Sequence, residues 1–362
     1  MVPVPRFLKH IHWPLFGVVL LLGLIGTLTI YSATFRAGGD YATKQFFWLL
    51  IGLGVFLLTI IVGYRSFLNL SYTFYGITIA LLLWVLFFSP TRGGAHSWIA
   101  IGSFAVQPSE FAKIATILAL AQFLSAQSTT TKHKRNLIIA MALVGLPTLL
   151  VLKQPDLGSA LVFIPLLVGM LFLWGVRIRY LIALFVMALS SVPFIWHVLK
   201  PYQQKRILVF VNPSIDPIGA SYTAIQSKIA VGSGGLFGKG WLQGTQTQLD
   251  FVPEHHTDFI FSVIAEEFGF LGALSLILLF MLLIRYAFQI IKHTTDEKAQ
   301  LVALGIACVF AFQVFVNIGM TIGIAPITGL TLPFISYGGS SLIASFLACG
   351  LLVSIYKERS IF

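Results

Sequence analysis

Apolar residues run along this chain in ten long blocks separated by short polar intervals, near 14–33, 46–64, 71–89, 109–127, 137–153, 158–176, 180–198, 259–288, 300–323 and 338–356. Each approaches the roughly 20 residues an α-helix needs to cross hydrocarbon. Only Lys153-Gln154-Pro155-Asp156 parts the fifth block from the sixth, which reads as a tight turn between antiparallel helices. The first block is too long for the apolar region of a cleavable signal peptide and is followed by another span, so it is expected to stay in the membrane. The pattern predicts an all-α polytopic membrane protein with ten transmembrane helices, forming one integral membrane domain over residues 1–362.

Orientation follows from where Lys and Arg fall in the short loops. With the N-terminus in the cytoplasm, Arg6, Lys9, Arg65, Lys132, Arg135, Arg177, Arg285, Lys292, Lys298 and Arg359 all lie inside. The opposite short loops hold only Arg36, Lys44, Arg92 and Lys153. Both termini are therefore expected to be cytoplasmic. Three substantial segments face outward: 89–107 with Arg92-Gly93-Gly94, a large loop at about 200–257 between helices 7 and 8, and the Gly- and Pro-rich 323–339.

Composition agrees with this picture. The chain is 57% hydrophobic and 10% charged, against about 25% charged in soluble domains. The net charge of +11 is largely topology signal and attraction to anionic lipid, so it does not argue for nucleic acid. Cys308 and Cys349 both sit in apolar runs, which excludes a disulfide framework and a metal spacing. The cytoplasmic loops carry no GxxxxGK[ST] motif, so no nucleotide is implied.

Chemistry is best sought in DFVPEHHTDFIFSVIAEEFGFLG, from Asp250 to Gly272, because the chain has only 12 Asp and Glu and five of them fall there. Asp258 lies about where the chain enters hydrocarbon, and a carboxylate at that depth is costly without a task or a partner. It is the candidate reactive group. Glu254 shares its face if this segment is helical, with Pro253 in the first turn. Adjacent His255 and His256 point apart on a helix and lack HExxH spacing, which argues against a zinc hydrolase.

Upstream, VGSGGLFGKGWLQGTQ crowds glycines with Lys239, Gln243 and Gln246, and Lys228 precedes it. Such a loop is either a cradle for phosphate or a flexible linker. Lys205 and Arg206 add positive charge on the same side. Ser109 can cap the fourth span, while Glu110 and Lys113 at i, i+3 can pair and so be tolerated near the membrane. Asp156 suits a cap of the sixth span and, second, a cation ligand beside Asp258. Asn317 is an intramembrane amide able to bond a neighbouring helix. The stretch 331–341 around Pro333, Ser336, Gly338 and Gly339 fits a re-entrant segment, with Ser336 a supporting or substrate-binding candidate.

QPSEFAK, KQPDLGSA, the block from IQSKIAVGSGG to FSVIAEEFG, and NIGMTIGIAPITGLTLPFISYGGSS together resemble the SEDS family of shape, elongation, division and sporulation proteins, over nearly the whole chain. NIGM and GTQTQLDFVPEHHTDFIF resemble its rod-shape branch more than its division branch. The resemblance implies a peptidoglycan glycosyltransferase that polymerises lipid II at the outer face of the bacterial plasma membrane. It implies a class B penicillin-binding protein as partner, lipid II and an undecaprenyl-pyrophosphate-linked glycan as substrates, and ten helices with both termini inside. It also carries the family's essential aspartate onto Asp258 and functional weight onto Glu110, Lys113 and Asp156.

Converting an α-linked pyrophosphate to a β-1,4 glycoside is one inversion, which needs a general base and no covalent carboxylate intermediate. Asp258 would be the base. Arg206, Lys228, Lys239 or a divalent cation (Mg or Mn, on Asp258 and Asp156) would meet the departing pyrophosphate. A lipid II flippase is the main rival reading, and it predicts charges near the bilayer midplane and an inverted repeat. The carboxylates fall instead at the outer face. A non-catalytic scaffold leaves Asp258 and the glycine–lysine loop without a purpose.

Overall fold

The computed structural model describes residues 12–36, 40–89, 97–101, 104–127, 134–198, 201–216, 219 and 221–358. Arg6, Lys9, Arg92, Gly93, Gly94, Lys132 and Arg359, used above for orientation and the external segments, lie outside them. The chain runs α1 (Trp13–Thr34), α2 (Tyr41–Val62), α3 (Tyr64–Asn69), α4 (Ser71–Phe88), then an antiparallel ribbon of β1 (Ile99–Ile101) and β2 (Phe104–Val106). It continues through α5 (Pro108–Ser125), α6 (Lys134–Lys153), α7 (Leu157–Leu173), α8 (Ile178–Val198) and α9 (Pro201–Val211). The last elements are α10 (Tyr222–Ser233), α11 (Thr245–Gln248), α12 (Ile260–His293), α13 (Glu297–Ile322) and α14 (Gly339–Glu358). Among the described residues, seven helices are long and apolar enough to cross a membrane: α1, α2, α4, α6, α12, α13 and α14. The other three apolar blocks of the sequence coincide with α5, α7 and α8.

The helix ends gather at two poles. At one, His12 before α1 packs against Tyr286 and Tyr356 near the ends of α12 and α14, tilted to the first and edge-on to the second, with ring centroids 4.9 and 4.6 Å away. There Tyr64 donates its O–H to Asp296 at 2.8 Å, and Arg65 pairs with Glu358 at 3.0 Å. At the other pole the end of α1 and the end of α13 meet the starts of α2, α5, α7, α12 and α14. α1 and α13 thus run towards this pole, and α2, α5, α7, α12 and α14 run away from it. Among the seven long apolar helices, α13 and α14 are the most enclosed. Gly52 of α2 lies against Phe346, and Gly350 of α14 against the Phe56 carbonyl, so small residues bring these two helices close.

Two departures from regular helix shape the second pole. α12 is broken at Gly269, whose φ of 66° and ψ of −162° are not helical. A break strands carbonyls before it and amides after it. The glycine-rich segment meets both sets. Lys239 N donates to the Glu266 carbonyl at 3.0 Å and Gly240 N to that of Glu267 at 2.9 Å, while Phe270 N and Leu271 N donate to the carbonyls of Gly235 and Leu236 at 2.8 and 3.2 Å. A Cβ at Gly238 or Gly269 would collide with the opposing backbone. These glycines therefore permit main chain to lie on main chain, a use that neither a cradle nor a flexible linker describes.

The second departure follows α13. Gly323 caps that helix in a left-handed conformation (φ 82°), and the backbone stays irregular until α14 begins. Leu332, Pro333, Phe334, Ile335 and Ser336 are nevertheless buried, with Phe334 against Gly26 of α1 and beside Phe310 and Phe346. Irregular backbone at such a place survives when enclosed by protein.

Candidate active site

Asp258 sits at the second pole, two residues before α12, and it is not helical. The amides of Thr257, Asp258 and Phe259 all donate to the Glu254 carbonyl, at 3.1, 3.1 and 3.3 Å. Glu254 itself has φ 54°, a left-handed backbone unusual for a residue with a side chain. The expectation of a helical face shared by Glu254 and Asp258, with Pro253 in its first turn, is thus corrected: residues 253–259 form consecutive turns, and the helix starts at Ile260. The conformation that folds three amides onto one carbonyl stops regular winding there.

Three successive carbonyls of this turn are held from outside it. Tyr337 N donates to His256 O at 3.0 Å, Ser336 Oγ to Thr257 O at 2.6 Å, and Asn317 Nδ2 to Asp258 O at 2.9 Å. The Asp258 carboxylate is half-buried and faces Gly329, where a Cβ would lie 3.5 Å from Oδ2. Burial pushes its carboxyl from 3.8 up to about 6, and Glu254 and Asp156 add to the rise while Arg206 and the Thr257 hydrogen bond oppose it. Burial likewise raises the Asp156 carboxyl.

Asp156 caps α7 as expected, accepting from Ser159 N at 3.0 Å, and its other oxygen accepts from Gln107 Nε2 at 3.1 Å. Glu110 and Lys113 form an ion pair of 2.8 Å inside the bundle, 5% and 2% exposed. They border a cavity shared with Gln313 and Ser345, between α5, α13 and α14. Ser109 does not cap α5. Gln107 occupies the cap position, Pro108 opens the helix, and the Ser109 hydroxyl is buried beside it without a hydrogen-bond partner.

Of the cations proposed for the leaving group, Arg206 acts electrostatically on Asp258. Lys228 is exposed and lies over Gly323 at the C-terminal end of α13, where the helix dipole favours it. Lys239 pairs with Glu266 at 2.7 Å. Lys205 pairs with Asp216 at 2.7 Å. Both ring nitrogens of His255 face carbonyl oxygens, those of Val252 and Ala33, each at 2.8 Å, a packing role consistent with its burial.

Sequence reasoning gave no role to Glu266 and Glu267. Glu266, fully buried, accepts from Lys239 Nζ, Gln246 N at 2.8 Å and Thr247 N at 3.1 Å. Glu267 accepts from Ser32 Oγ at 2.5 Å, joining α12 to α1. Their signal was present: two adjacent carboxylates inside an apolar run demand partners, and the glycine-rich loop held them.

No group of three His, Cys, Asp or Glu suited to a metal occurs among the described residues. Asp258 and Asp156 nonetheless offer hard oxygen donors. Magnesium is commonly held by one or two carboxylates, with water and substrate phosphate completing its shell. These two carboxylates, which act on each other electrostatically, are the residues that would hold such an ion.

Compared with known proteins, residues 12–361 match the profile of the Cell cycle protein family FtsW/RodA/SpoVE. The chain belongs to this family, the SEDS proteins. Among SEDS relatives, the "Peptidoglycan glycosyltransferase MrdB" of Escherichia coli (strain K12) is 38% identical over 97% of this chain and 94% of its own. A chain solved under the description "Structural coordination of polymerization and crosslinking by a peptidoglycan synthase complex" superposes with a TM-score of 0.83 at 32% identity, covering 96% of this chain and 98% of that one. The SEDS protein RodA of Thermus thermophilus, a rod shape determining protein, superposes with a TM-score of 0.73 at 31% identity, over 96% of this chain and 97% of its own.

Proposed function

We propose that this chain is a peptidoglycan glycosyltransferase that polymerises lipid II at the outer face of the plasma membrane, with Asp258 as general base. The single observation that carries the reading is the Asp258 carboxylate, half-buried, with its carboxyl raised to about 6 and its main chain tied down. A base with a pKa near the working pH combines the ionised form with real proton affinity. Asp258 takes the proton of the acceptor sugar's 4-hydroxyl. That oxygen bonds to the anomeric carbon of the growing glycan as the bond from that carbon to pyrophosphate breaks, and the pyrophosphate leaves with the electron pair. Arg206, which already acts on the Asp258 carboxylate, supplies positive charge nearby. Lys228 and Lys239 stand further from the reaction in this scheme, Lys239 because Glu266 neutralises it. A divalent cation on Asp258 and Asp156 would add charge on the pyrophosphate when bound.

The chain crosses the membrane ten times with both termini in the cytoplasm, a reading supported by the helix directions at the two poles and by Arg65, Lys292, Lys298 and Lys357 at the pole opposite Asp258. A class B penicillin-binding protein is its partner, supported by the resemblance to a chain from a complex that couples polymerisation to crosslinking. Elongation is its cellular setting, supported by the NIGM and GTQTQLDFVPEHHTDFIF stretches.

The test is reconstitution of the purified protein, with and without a class B partner, on lipid II. Asp258→Asn keeps the side-chain volume and removes the basic oxygen, and loss of a general base typically costs about 10²–10⁴ in rate. Glycan strands are expected from the wild type and none from Asp258→Asn at equal levels of folded protein. Near-normal polymerisation by Asp258→Asn would falsify the mechanism. Chelator followed by magnesium or manganese is expected to remove and restore the activity. Full activity in chelator would leave the charge to Arg206 and the lysines.

A further inference from the structure

Asn317 lies one turn before the end of α13 and is completely buried. Its Nδ2 donates twice, to the Asp258 carbonyl at 2.9 Å and to the Leu330 carbonyl at 2.7 Å. An amide nitrogen has two hydrogens, so both are spent on main chain. Its Oδ1 accepts no hydrogen bond and is buried. The amide thus leaves its acceptor unmet in order to satisfy two carbonyls. A flipped amide would present an oxygen to both, so the orientation is fixed.

Those two carbonyls belong to the segments that flank the reactive carboxylate. One is the main chain of Asp258 itself. The other belongs to Leu330, next to Gly329, whose left-handed backbone (φ 75°) faces Asp258 Oδ2. Ser336 repeats the arrangement one residue back, donating to Thr257 O while its oxygen accepts Leu332 N at 2.8 Å. Asn317 and Ser336 therefore each join the turn before α12 to the irregular segment after α13.

We propose that Asn317 is a positioning residue of the transferase reaction, setting the distance between the Asp258 carboxylate and the 329–332 segment that faces it. The inference rests on the reading of Asp258 as the base. Asn317 touches no reacting atom and acts only through the main chain. Misplacing a catalytic group by about 1 Å can cost on the order of 10² in rate. A truncated amide is therefore expected to act on turnover more than on substrate capture.

The experiment uses the full-length protein with its class B partner in lipid nanodiscs, with lipid II as substrate. Wild type, Asn317→Ala, Asn317→Ser, Thr321→Val and Asp258→Asn are compared for rate against lipid II concentration and for thermal unfolding. Thr321 is also fully buried on α13, one turn further on, and bonds only its own helix through its hydroxyl. Asn317→Ala is expected to lower kcat about 10- to 100-fold with KM changed less than about threefold. Asn317→Ser, which keeps one donor, should fall between Asn317→Ala and wild type. Thr321→Val should keep both kcat and KM.

If Asn317→Ala does not fold, the Ser variant decides by kcat per folded protein against KM. A kcat loss that only follows the loss of folded protein makes Asn317 structural and overturns the proposal. An active Asp258→Asn overturns the parent reading instead. An inactive Asp258→Asn beside an Asn317→Ala of normal kcat overturns the positioning role alone.

Discussion

If Asp258 is the proposed base, its protonation sets both rate and stability, in opposite senses. Burial lifts its carboxyl from 3.8 to about 6, so a base mechanism predicts a rate that rises through pH 6 and levels above about 7. A rate already level at pH 5 would show that another group titrates. For stability, the folded state holds the proton more tightly than the unfolded chain across this window, so ΔG of unfolding falls as pH rises from about 4 to about 6. Asp258→Asn removes that penalty. Its Tm should exceed that of the wild type at pH 8, with the gap closing near pH 4, as thermal scans at the two pH values would report. Removing a functional residue would then stabilise the fold, the trade often seen where a site is built at the expense of stability.

At the scale of elements, the broken α12 and the glycine-rich segment form one unit. Glu266 gathers Lys239 and the amides of Gln246 and Thr247, and four main-chain bonds cross the break. Glu266→Ala should leave α12 inserted while raising hydrogen exchange across 234–248. Unchanged exchange there would mean that the main-chain bonds suffice. Exposed Leu236, Phe237 and Trp241 on the same segment give it an apolar rim. Much of this architecture was legible in the chain. Hydropathy marked the apolar blocks because lipid imposes both their length and their composition. Asp258 stood out because a carboxylate at that depth needs a reason. The turn at 253–259 was hidden, because its carbonyls at 256–258 are held by Tyr337, Ser336 and Asn317, far away in the chain, and local propensity does not announce a left-handed Glu254. Ser109 was chosen as a cap by residue type, whereas Pro108 at the first helical position had already moved the cap to Gln107. From the sequence the glycines suit a phosphate cradle or a flexible linker, and only the opposing main chain of α12 reveals their use.

For the whole molecule, the gathering of helix ends at two poles predicts the sidedness of labels. A single cysteine replacing exposed Gly235 should react with impermeant reagents from outside, and one replacing exposed Lys292 should react only after permeabilisation. Labelling of position 292 from outside would sink the proposed orientation. One consequence concerns the order of synthesis. The turn carrying Asp258 takes its outside ties from Asn317, Ser336 and Tyr337, all made later, and α2 rests most extensively on α14, the last helix to emerge. Nearly all of the chain must leave the ribosome before the base can be fixed or the groove of α2 closed. A nascent polypeptide released ahead of α14 would thus hold its aspartate on an untethered turn and show the bilayer the bare face around Gly52, features by which membrane proteases could clear it before it meets substrate.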